Sequence, residues 1–156
     1  MDQRKIDVHF LRLAHITALN LSKDPKTKVG SVVVTSDGRQ FSTGYNGFPE
    51  GVLETPERWT SPEKYEWVVH AEINAIFNCP FDTKGCTIYC TIQPCHRCLG
   101  HLKNAKILTV VYNKPYINMK RQDIWDELAK DFQVRQVNDP MLDRLTSLFE
   151  AGVAQR

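Results

Sequence analysis

The chain has 156 residues, 42% hydrophobic and 24% charged, and this length and composition predict one globular domain over residues 1–156. Its 20 basic and 18 acidic residues give a net charge of only +2, which disfavours a protein whose main task is to grip a nucleic-acid backbone but leaves room for a small anionic ligand. It contains no run of about 18 apolar residues and no recognisable secretion signal, so we expect a cytoplasmic protein without a membrane span.

The first predicted elements are a helix and a β-hairpin. Apolar side chains recur on one face over residues 5–22, which is the spacing of an amphipathic helix. Residues 29–35 are rich in β-branched side chains and predict a buried strand. Asp37 and Gly38 form a strong turn signal, so a second strand over 40–45 is expected to return antiparallel to the first.

Residues 46–68 predict a long loop. The segment is polar and contains several Gly and Pro residues, and a loop of this length in a compact domain is usually functional or disordered. Its aromatic side chains argue against disorder, because such residues in loops commonly pack into subunit contacts or against a ligand. They are Phe48, Trp59, Tyr65 and Trp67.

The second half of the chain alternates between strand and helix patterns. Predicted strands lie at 86–92, 107–112 and 132–137, and predicted helices at 70–78, 95–104, 119–130 and 139–151. Strands that alternate with helices favour a sheet that is covered on both faces and has its later strands parallel. The expected fold class is therefore α/β, with three α-β-α layers and five strands that begin with an antiparallel hairpin.

Two short motifs carry residues that suit a metal site. His70 and Glu72 stand in the first, H-A-E, and Cys95 and Cys98 in the second, P-C-x-x-C. Cysteines three apart lie on one side of the first turn of a helix, and both the helix start and a metal ion favour their thiolate forms. One imidazole and two thiolates give zinc three of its four preferred ligands and leave one position for water. The combination matches the pattern of the zinc-dependent deaminases.

Glu72 would complement this site as a proton carrier. Zinc lowers the pKa of its water, and a neighbouring carboxylate can take that proton and pass it to the base and to the departing amine. A dry pocket should raise the pKa of Glu72. One alternative is a buried structural histidine with cysteines that only fill the core. Another is a zinc module without activity, which would have no use for an open ligand position beside a carboxylate.

Four segments resemble the deoxycytidylate (dCMP) deaminase family, which has the cytidine-deaminase-like fold. The resemblance runs from about residue 8 to residue 117. Its segments are S-K-D-P-K-T-K-V-G at 22–30, T-G-Y-N-G-F-P at 43–49, K-Y-E-W-V-V-H-A-E-I-N-A-I at 64–76 and Q-P-C-H-R-C at 93–98. The first two are more discriminating than the zinc pattern, which all zinc-dependent deaminases of this fold share.

The resemblance implies a zinc-dependent enzyme that hydrolyses dCMP to dUMP and ammonia. One zinc ion per chain would be held by His70, Cys95 and Cys98, with Glu72 as the catalytic residue. The fold implied is a mixed five-stranded sheet between helices, in a homo-oligomer that is typically a hexamer. Many family members hold a second, structural zinc with extra Cys and His residues, but none occurs here between Gly47 and Val69, so a single zinc is expected.

The resemblance also assigns residues to the base and sugar of the substrate. Asn46 would hydrogen-bond the deoxyribose, and the backbone of Ala71 would contact the cytosine edge. Asn46 before Gly47 is also a common turn pair, so the structural alternative for this residue is turn formation.

The phosphate of the substrate would meet Lys26 and Tyr116, with Lys23 and Thr27 nearby. Lysines in loops are usually only solvated, and a tyrosine at a strand end can simply cover the core, so each assignment has a structural alternative. In the family, dCTP activates and dTTP inhibits. These effectors, accompanied by Mg²⁺, would bind at a subunit interface that is built partly by Asn46, Gly47, Phe48 and Pro49.

Other substrates remain as alternatives. Deamination of dCTP as well as dCMP depends on loop details that the sequence leaves open. A deaminase of tRNA adenosine would be expected to carry a basic face, which the balanced charge disfavours. A deaminase of free cytidine would not need the lysines of the 22–30 segment, and a pterin substrate is a further alternative.

Overall fold

The computed structural model describes residues 2–154, and the side chains of residues 2–147. The helices are α1 Gln3–Leu21, α2 Pro56–Trp59, α3 Lys64–Trp67, α4 Ala71–Phe77, α5 His96–Asn104, α6 Gln122–Ala129 and α7 Pro140–Ala154. The strands are β1 Gly30–Val34, β2 Phe41–Tyr45, β3 Thr87–Ile92, β4 Thr109–Lys114 and β5 Gln133–Gln136. The ends of the predicted domain, residue 1 and residues 155–156, lie outside the described residues.

Within the described chain these strands form one mixed sheet in the order β2-β1-β3-β4-β5. Strand β1 pairs antiparallel with both β2 and β3, whereas the β3–β4 and β4–β5 pairs are parallel. The hairpin between β1 and β2 turns at Gly38, whose φ of 73° is the left-handed conformation that a tight turn uses. The predicted five-stranded mixed sheet, with its antiparallel first hairpin and parallel later strands, is confirmed.

Helices α1 and α7 cover one face of the sheet. Alternate strand residues meet them there, as the two-residue period of a strand requires. The buried members of this cluster are Phe10, Leu11, Ala14, Val32, Val34, Tyr89, Val111, Val137 and Leu142. The same layer contains the buried carboxylate of Asp7, which accepts hydrogen bonds from the Tyr89 hydroxyl at 3.1 Å and the Arg135 guanidinium at 3.0 Å. This network ties α1 to β3 and β5.

Helices α4, α5 and α6 cover the opposite face. The buried residues of this second cluster are Val33, Ala75, Cys86, Ile88, Cys90, Leu99, Leu102, Ile107, Val110 and Trp125. Because α4 and α5 lie side by side on the sheet, the turns that start them are neighbours. The three-layer α-β-α arrangement therefore brings the two sequence motifs together at one end of the same layer.

A glycine in β2 sets how closely α4 approaches the sheet. A Cβ atom built on Gly44 would lie 2.2 Å from the backbone nitrogen of Ala75 and 2.4 Å from the carbonyl oxygen of Ala71. These contacts are with backbone atoms, which a rotamer change cannot relieve. Gly44 therefore allows α4 to lie directly against β2 at Ala71 and Ala75.

Three predicted features differ from the structure, and the first is helix α6, which was predicted from residue 119 and begins at Gln122. The segment 46–68, expected to be a long loop, contains the single-turn helices α2 and α3, and Phe48 stacks on Trp59 with ring centroids 4.3 Å apart. The strand predicted at 107–112 begins two residues later, because Lys106 takes a positive φ of 62° and Ile107 enters the core before the ladder starts. None of the helices in the described part of the chain combines the length and the hydrophobicity that a membrane span requires.

Candidate active site

Three side chains that can bind a metal meet where α4 and α5 begin. The Nδ1 atom of His70 lies 3.2 Å from Sγ of Cys98 and 3.7 Å from Sγ of Cys95. All three ligand atoms lie within 4.8 Å of one another. Nitrogen and sulfur ligands of a tetrahedral zinc ion are separated by about 3.6 Å. The cluster therefore has the dimensions of a zinc site.

The local backbone explains why these side chains converge. His70 is the N-cap residue of α4, with φ −69° and ψ 153°, and its side chain makes no capping hydrogen bond, so the imidazole can face the sulfur atoms. Cys95 is the N-cap of α5, and its sulfur accepts a hydrogen bond from the backbone N–H of Cys98 at 3.4 Å. The indole of Trp125 donates to the carbonyl of Pro94 at 3.0 Å, which anchors the turn before α5.

The charges of the two thiols are strongly coupled. The thiol of Cys98 donates to Cys95 and, with the nearby His70, lowers the pKa of Cys95 to about 3. The same hydrogen bond and burial raise the pKa of Cys98 far above its ordinary value. A hydrogen bond to Cys95 raises the pKa of His70. The Cys95 thiolate is thus readily formed here, and a divalent cation would also stabilise the thiolate of Cys98. Two thiolates and an imidazole form the donor set that zinc prefers, so the residues fit this ion.

Glu72 lies two residues after His70 in the first turn of α4 and is only 4% exposed. Burial raises the pKa of its carboxyl group, an effect that the nearby His70 partly opposes. This direction agrees with the expectation from a dry pocket. A raised pKa makes the carboxyl group easier to protonate than an exposed glutamate, which suits a residue that must both accept and donate a proton.

A cavity of about 420 Å³ opens onto this cluster. It brings together His70, Glu72 and Cys95 with four residues that sequence analysis assigned to the substrate. Those four are Thr27, Asn46, Ala71 and Tyr116. A wider cleft of about 720 Å³ adjoins it, and His70, Cys95 and Tyr116 line both. The two motifs and most of the predicted substrate residues therefore face one continuous recess.

Two of the predicted phosphate residues do not line this cavity. Lys23 is exposed and forms an ion pair with Glu54 at 2.7 Å. Lys26 is exposed in the same loop, next to Thr27, which does line the cavity. Their contact with a phosphate stays a prediction and requires their side chains to turn towards the cavity.

Asn46 is 6% exposed, and its amide is occupied by contacts within the protein. Its oxygen accepts hydrogen bonds from the Ser22 hydroxyl at 2.7 Å and the Val29 backbone at 2.9 Å. Its nitrogen donates to the carbonyl of Thr27 at 2.9 Å and to Asp24 at 3.3 Å. A hydrogen bond to deoxyribose, which stays a prediction, would have to replace or share one of these contacts.

Three polar residues that line the cavity were not predicted from the sequence. Lys64 and Asp24 form a buried ion pair, and the side-chain oxygen of Gln93 accepts a hydrogen bond from the backbone of Tyr116 at 3.1 Å. All three lie in the segments that resemble the dCMP deaminase family. This resemblance was the only feature of the sequence that could have indicated a role for them. Nothing in the local sequence marks Lys64 as buried, because its partner lies 40 residues earlier.

Comparison with known proteins agrees with this site. A family model described as the cytidine and deoxycytidylate deaminase zinc-binding region matches residues 4–114. A probable deoxycytidylate deaminase of Caenorhabditis elegans is 45% identical over 108 residues, which are 66% of this chain and 54% of that protein. The deoxycytidylate deaminase of Homo sapiens is 37% identical over 67% of this chain and 62% of its own. The chain thus spans little more than half the length of these curated relatives.

The fold is also similar to that of a solved structure. The dCMP deaminase of cyanophage S-TIM5, crystallised in complex with dCMP and dUMP, superposes with a TM-score of 0.70 at 25% identity. The match covers 85% of this chain and 97% of the phage chain. The sheet and helices described above therefore have the cytidine-deaminase-like arrangement.

Proposed function

Because this chain belongs to the cytidine and deoxycytidylate deaminase family, we propose that it hydrolyses dCMP to dUMP and ammonia. The observation that carries the proposal is the buried carboxyl group of Glu72, which lines the cavity next to a cluster of one imidazole and two thiols. The names of the relatives and the dCMP and dUMP bound to the phage enzyme support the same substrate.

His70, Cys95 and Cys98 would hold one zinc ion per chain. When bound, zinc supplies Lewis-acid activation of a water molecule. Glu72 accepts a proton from the water that attacks C4 of the cytosine ring and delivers a proton to N3. It then takes the remaining proton from the oxygen now bonded to C4 and passes it to the amino nitrogen as the C4–N bond breaks, so that water and dCMP become dUMP and ammonia. The burial of Glu72 keeps bulk water from competing in these transfers.

The other lining residues would orient the nucleotide. Ala71 at the start of α4 offers its backbone to the cytosine edge, and Asn46 lies on the wall that would face the sugar. Thr27 lines the same cavity and would lie near the phosphate. Tyr116 lies where the cavity meets the wider cleft, which suits a contact with the phosphate. The hydroxyl of a tyrosine can donate to a phosphate oxygen.

The substrate is tested by initial rates on deoxycytidine, dCMP and dCTP with the zinc-loaded protein. A strong preference for dCMP is expected. Comparable rates on dCMP and dCTP would indicate a pocket open to the longer phosphate chain. Turnover of none of the three would reject the proposed substrate and direct attention to adenosine in RNA or to pterins.

Lys26→Ala is expected to raise KM for dCMP at least about tenfold and to change KM for deoxycytidine little, because the residue would contact only the phosphate. The comparison is made on steady-state rates of the two substrates. Lys84→Ala, which removes an exposed lysine of another loop, serves as the control. Equal effects of Lys26→Ala on both substrates would remove the phosphate assignment.

Activation by dCTP, inhibition by dTTP and a homohexamer are part of the proposal, as is a cytoplasmic location. Support for an effector site comes from the loop that contains Phe48. Phe48 packs on Trp59, which is 6% exposed and whose indole N–H has no hydrogen-bond partner among the described residues. An unsatisfied buried donor costs about 1–3 kcal/mol, so a rearrangement of this loop that gave the indole N–H an acceptor would be stabilised, and an effector bound at the loop could favour it.

Trp59→Phe is therefore expected to weaken inhibition by dTTP at least about fivefold, since it removes the donor but keeps an aromatic ring against Phe48. The basal rate on dCMP should stay close to that of the wild type, because Trp59 does not line the cavity. The measurement is the dTTP concentration that halves the rate. Unchanged inhibition would exclude the indole N–H from the effector response.

A further inference from the structure

A buried ion pair forms part of the cavity wall away from the metal cluster. The ammonium of Lys64 lies 3.1 Å from one carboxylate oxygen of Asp24 and 3.4 Å from the other. The two residues are 6% and 2% exposed. Of the lysines and arginines in the described part of the chain, only Lys64 lines the cavity.

Stability alone gives a poor account of this pair. Removing two charges from water costs free energy that their attraction only partly returns, and apolar residues of similar size often serve a fold as well. A buried pair is better explained when its geometry fixes neighbouring groups. The contacts of Asp24 give such an explanation.

Asp24 is the centre of the hydrogen bonds that shape the loop between α1 and β1. One carboxylate oxygen accepts from the backbone N–H groups of Lys26 at 2.8 Å and Thr27 at 3.1 Å. The other accepts from the side-chain nitrogen of Asn46 at 3.3 Å. The carboxylate thus holds two residues of the loop and the amide of Asn46 in one arrangement, and Lys64 supplies its counter-charge.

Lys64 itself is not suited to anchor a phosphate. Its charge is balanced by Asp24 at hydrogen-bond distance, and a dianionic group placed beside the pair would also face the carboxylate. The pair therefore holds the cavity wall in place and is not expected to bind the ligand directly. It joins helix α3 to the loop that precedes β1.

We propose that Lys64 is a positioning residue for the sugar–phosphate part of the substrate, acting through Asp24 on the 22–29 loop and on Asn46. This inference rests on the proposed function in one respect, that the ligand is a deoxynucleotide. Glu72 and the metal ligands belong to α4, to α5 and to the residues just before them, so Lys64 influences substrate affinity and leaves the chemical step unchanged.

The test compares Lys64→Met with wild type by steady-state kinetics on dCMP and by hydrogen exchange of the backbone amides of Lys26 and Thr27. KM is expected to rise at least about tenfold with kcat within about threefold of wild type. The two amides should exchange at least about tenfold faster, because Lys64→Met leaves their acceptor without its counter-charge. Lys64→Arg, which keeps the charge, should recover most of the KM.

Two further variants separate this role from a general loss of stability. Lys103→Met breaks the exposed ion pair with Asp131 and should change neither KM nor the exchange of these amides. The double variant Asp24→Asn with Lys64→Met removes both buried charges, so it should fold even where Lys64→Met does not, and its KM should stay raised.

The inference is overturned if Lys64→Met or the double variant has a KM within twofold of wild type, or if kcat falls while KM is unchanged. Unchanged amide exchange in Lys64→Met would overturn it as well. The exchange measurement does not depend on activity. A wild-type protein that fails to turn over dCMP would therefore reject the proposed function, while faster exchange in Lys64→Met would still establish the link to the loop.

Discussion

Glu72→Gln is expected to lower the turnover of dCMP by about 10² to 10⁴-fold, the usual contribution of a general acid–base residue. Glutamine has nearly the same size as glutamate, so the packing of α4 is kept. Its amide cannot take a proton from water or return one to the ring and the amine. Because Glu72 is not one of the three clustered ligands, the zinc content should stay that of the wild type.

The measurement combines initial rates with metal analysis of the same protein samples. Glu66→Gln is the matched control, since Glu66 is an exposed carboxylate of α3 that does not line the cavity. It should keep both zinc and activity. Turnover by Glu72→Gln above about a tenth of the wild-type rate would mean that another group carries the proton.

Cys95→Ser is expected to lose both zinc and activity. A serine hydroxyl is a much weaker zinc ligand than a thiolate, and even the loss of an outer partner of a ligand weakens metal affinity by about 10 to 100-fold. The affinity for zinc, measured by competition with a coloured chelator, should therefore fall by more than about 100-fold. Deamination of dCMP should fall with the metal content.

Cys79→Ser provides the matched control for this variant. Cys79 lies outside the cluster and donates to the carbonyl of Ala75 at 3.2 Å, a contact that a serine hydroxyl can keep. The control should bind zinc and retain activity. A Cys95→Ser protein that binds zinc with wild-type affinity and remains active would show that the metal is held elsewhere.

The order of the elements could be predicted from local patterns, because the central strands are short runs rich in β-branched residues that are buried on both faces of the sheet. Val32 and Val34 face α1 whereas Val33 faces α4, as a two-residue period dictates. The helices α2 and α3 were missed because four residues are too few to show a helical period. Thr55 marks the start of α2, because its side chain accepts a hydrogen bond from the backbone N–H of Arg58. Such caps also occur in turns, so this residue alone does not predict a helix.

The cluster of potential metal ligands could be predicted because its residues lie in two short motifs that each start a helix. The remainder of the cavity wall depends on contacts between residues far apart in sequence. Lys64 is an example, since a lysine in a polar segment is usually solvated and its burial follows only from Asp24 across the cavity wall. Asn46 is another, because its predicted sugar contact competes with four hydrogen bonds that only the folded chain reveals.

We propose that this protein deaminates dCMP at a zinc ion held by His70, Cys95 and Cys98. The most direct test is to incubate dCMP with zinc-loaded protein, with protein stripped by a chelator, and with stripped protein reloaded with zinc. We predict equal amounts of dUMP and ammonia from the loaded protein, loss of both products after stripping, and recovery on reloading. Full turnover by the stripped protein, or no dUMP from the loaded protein, would contradict the claim.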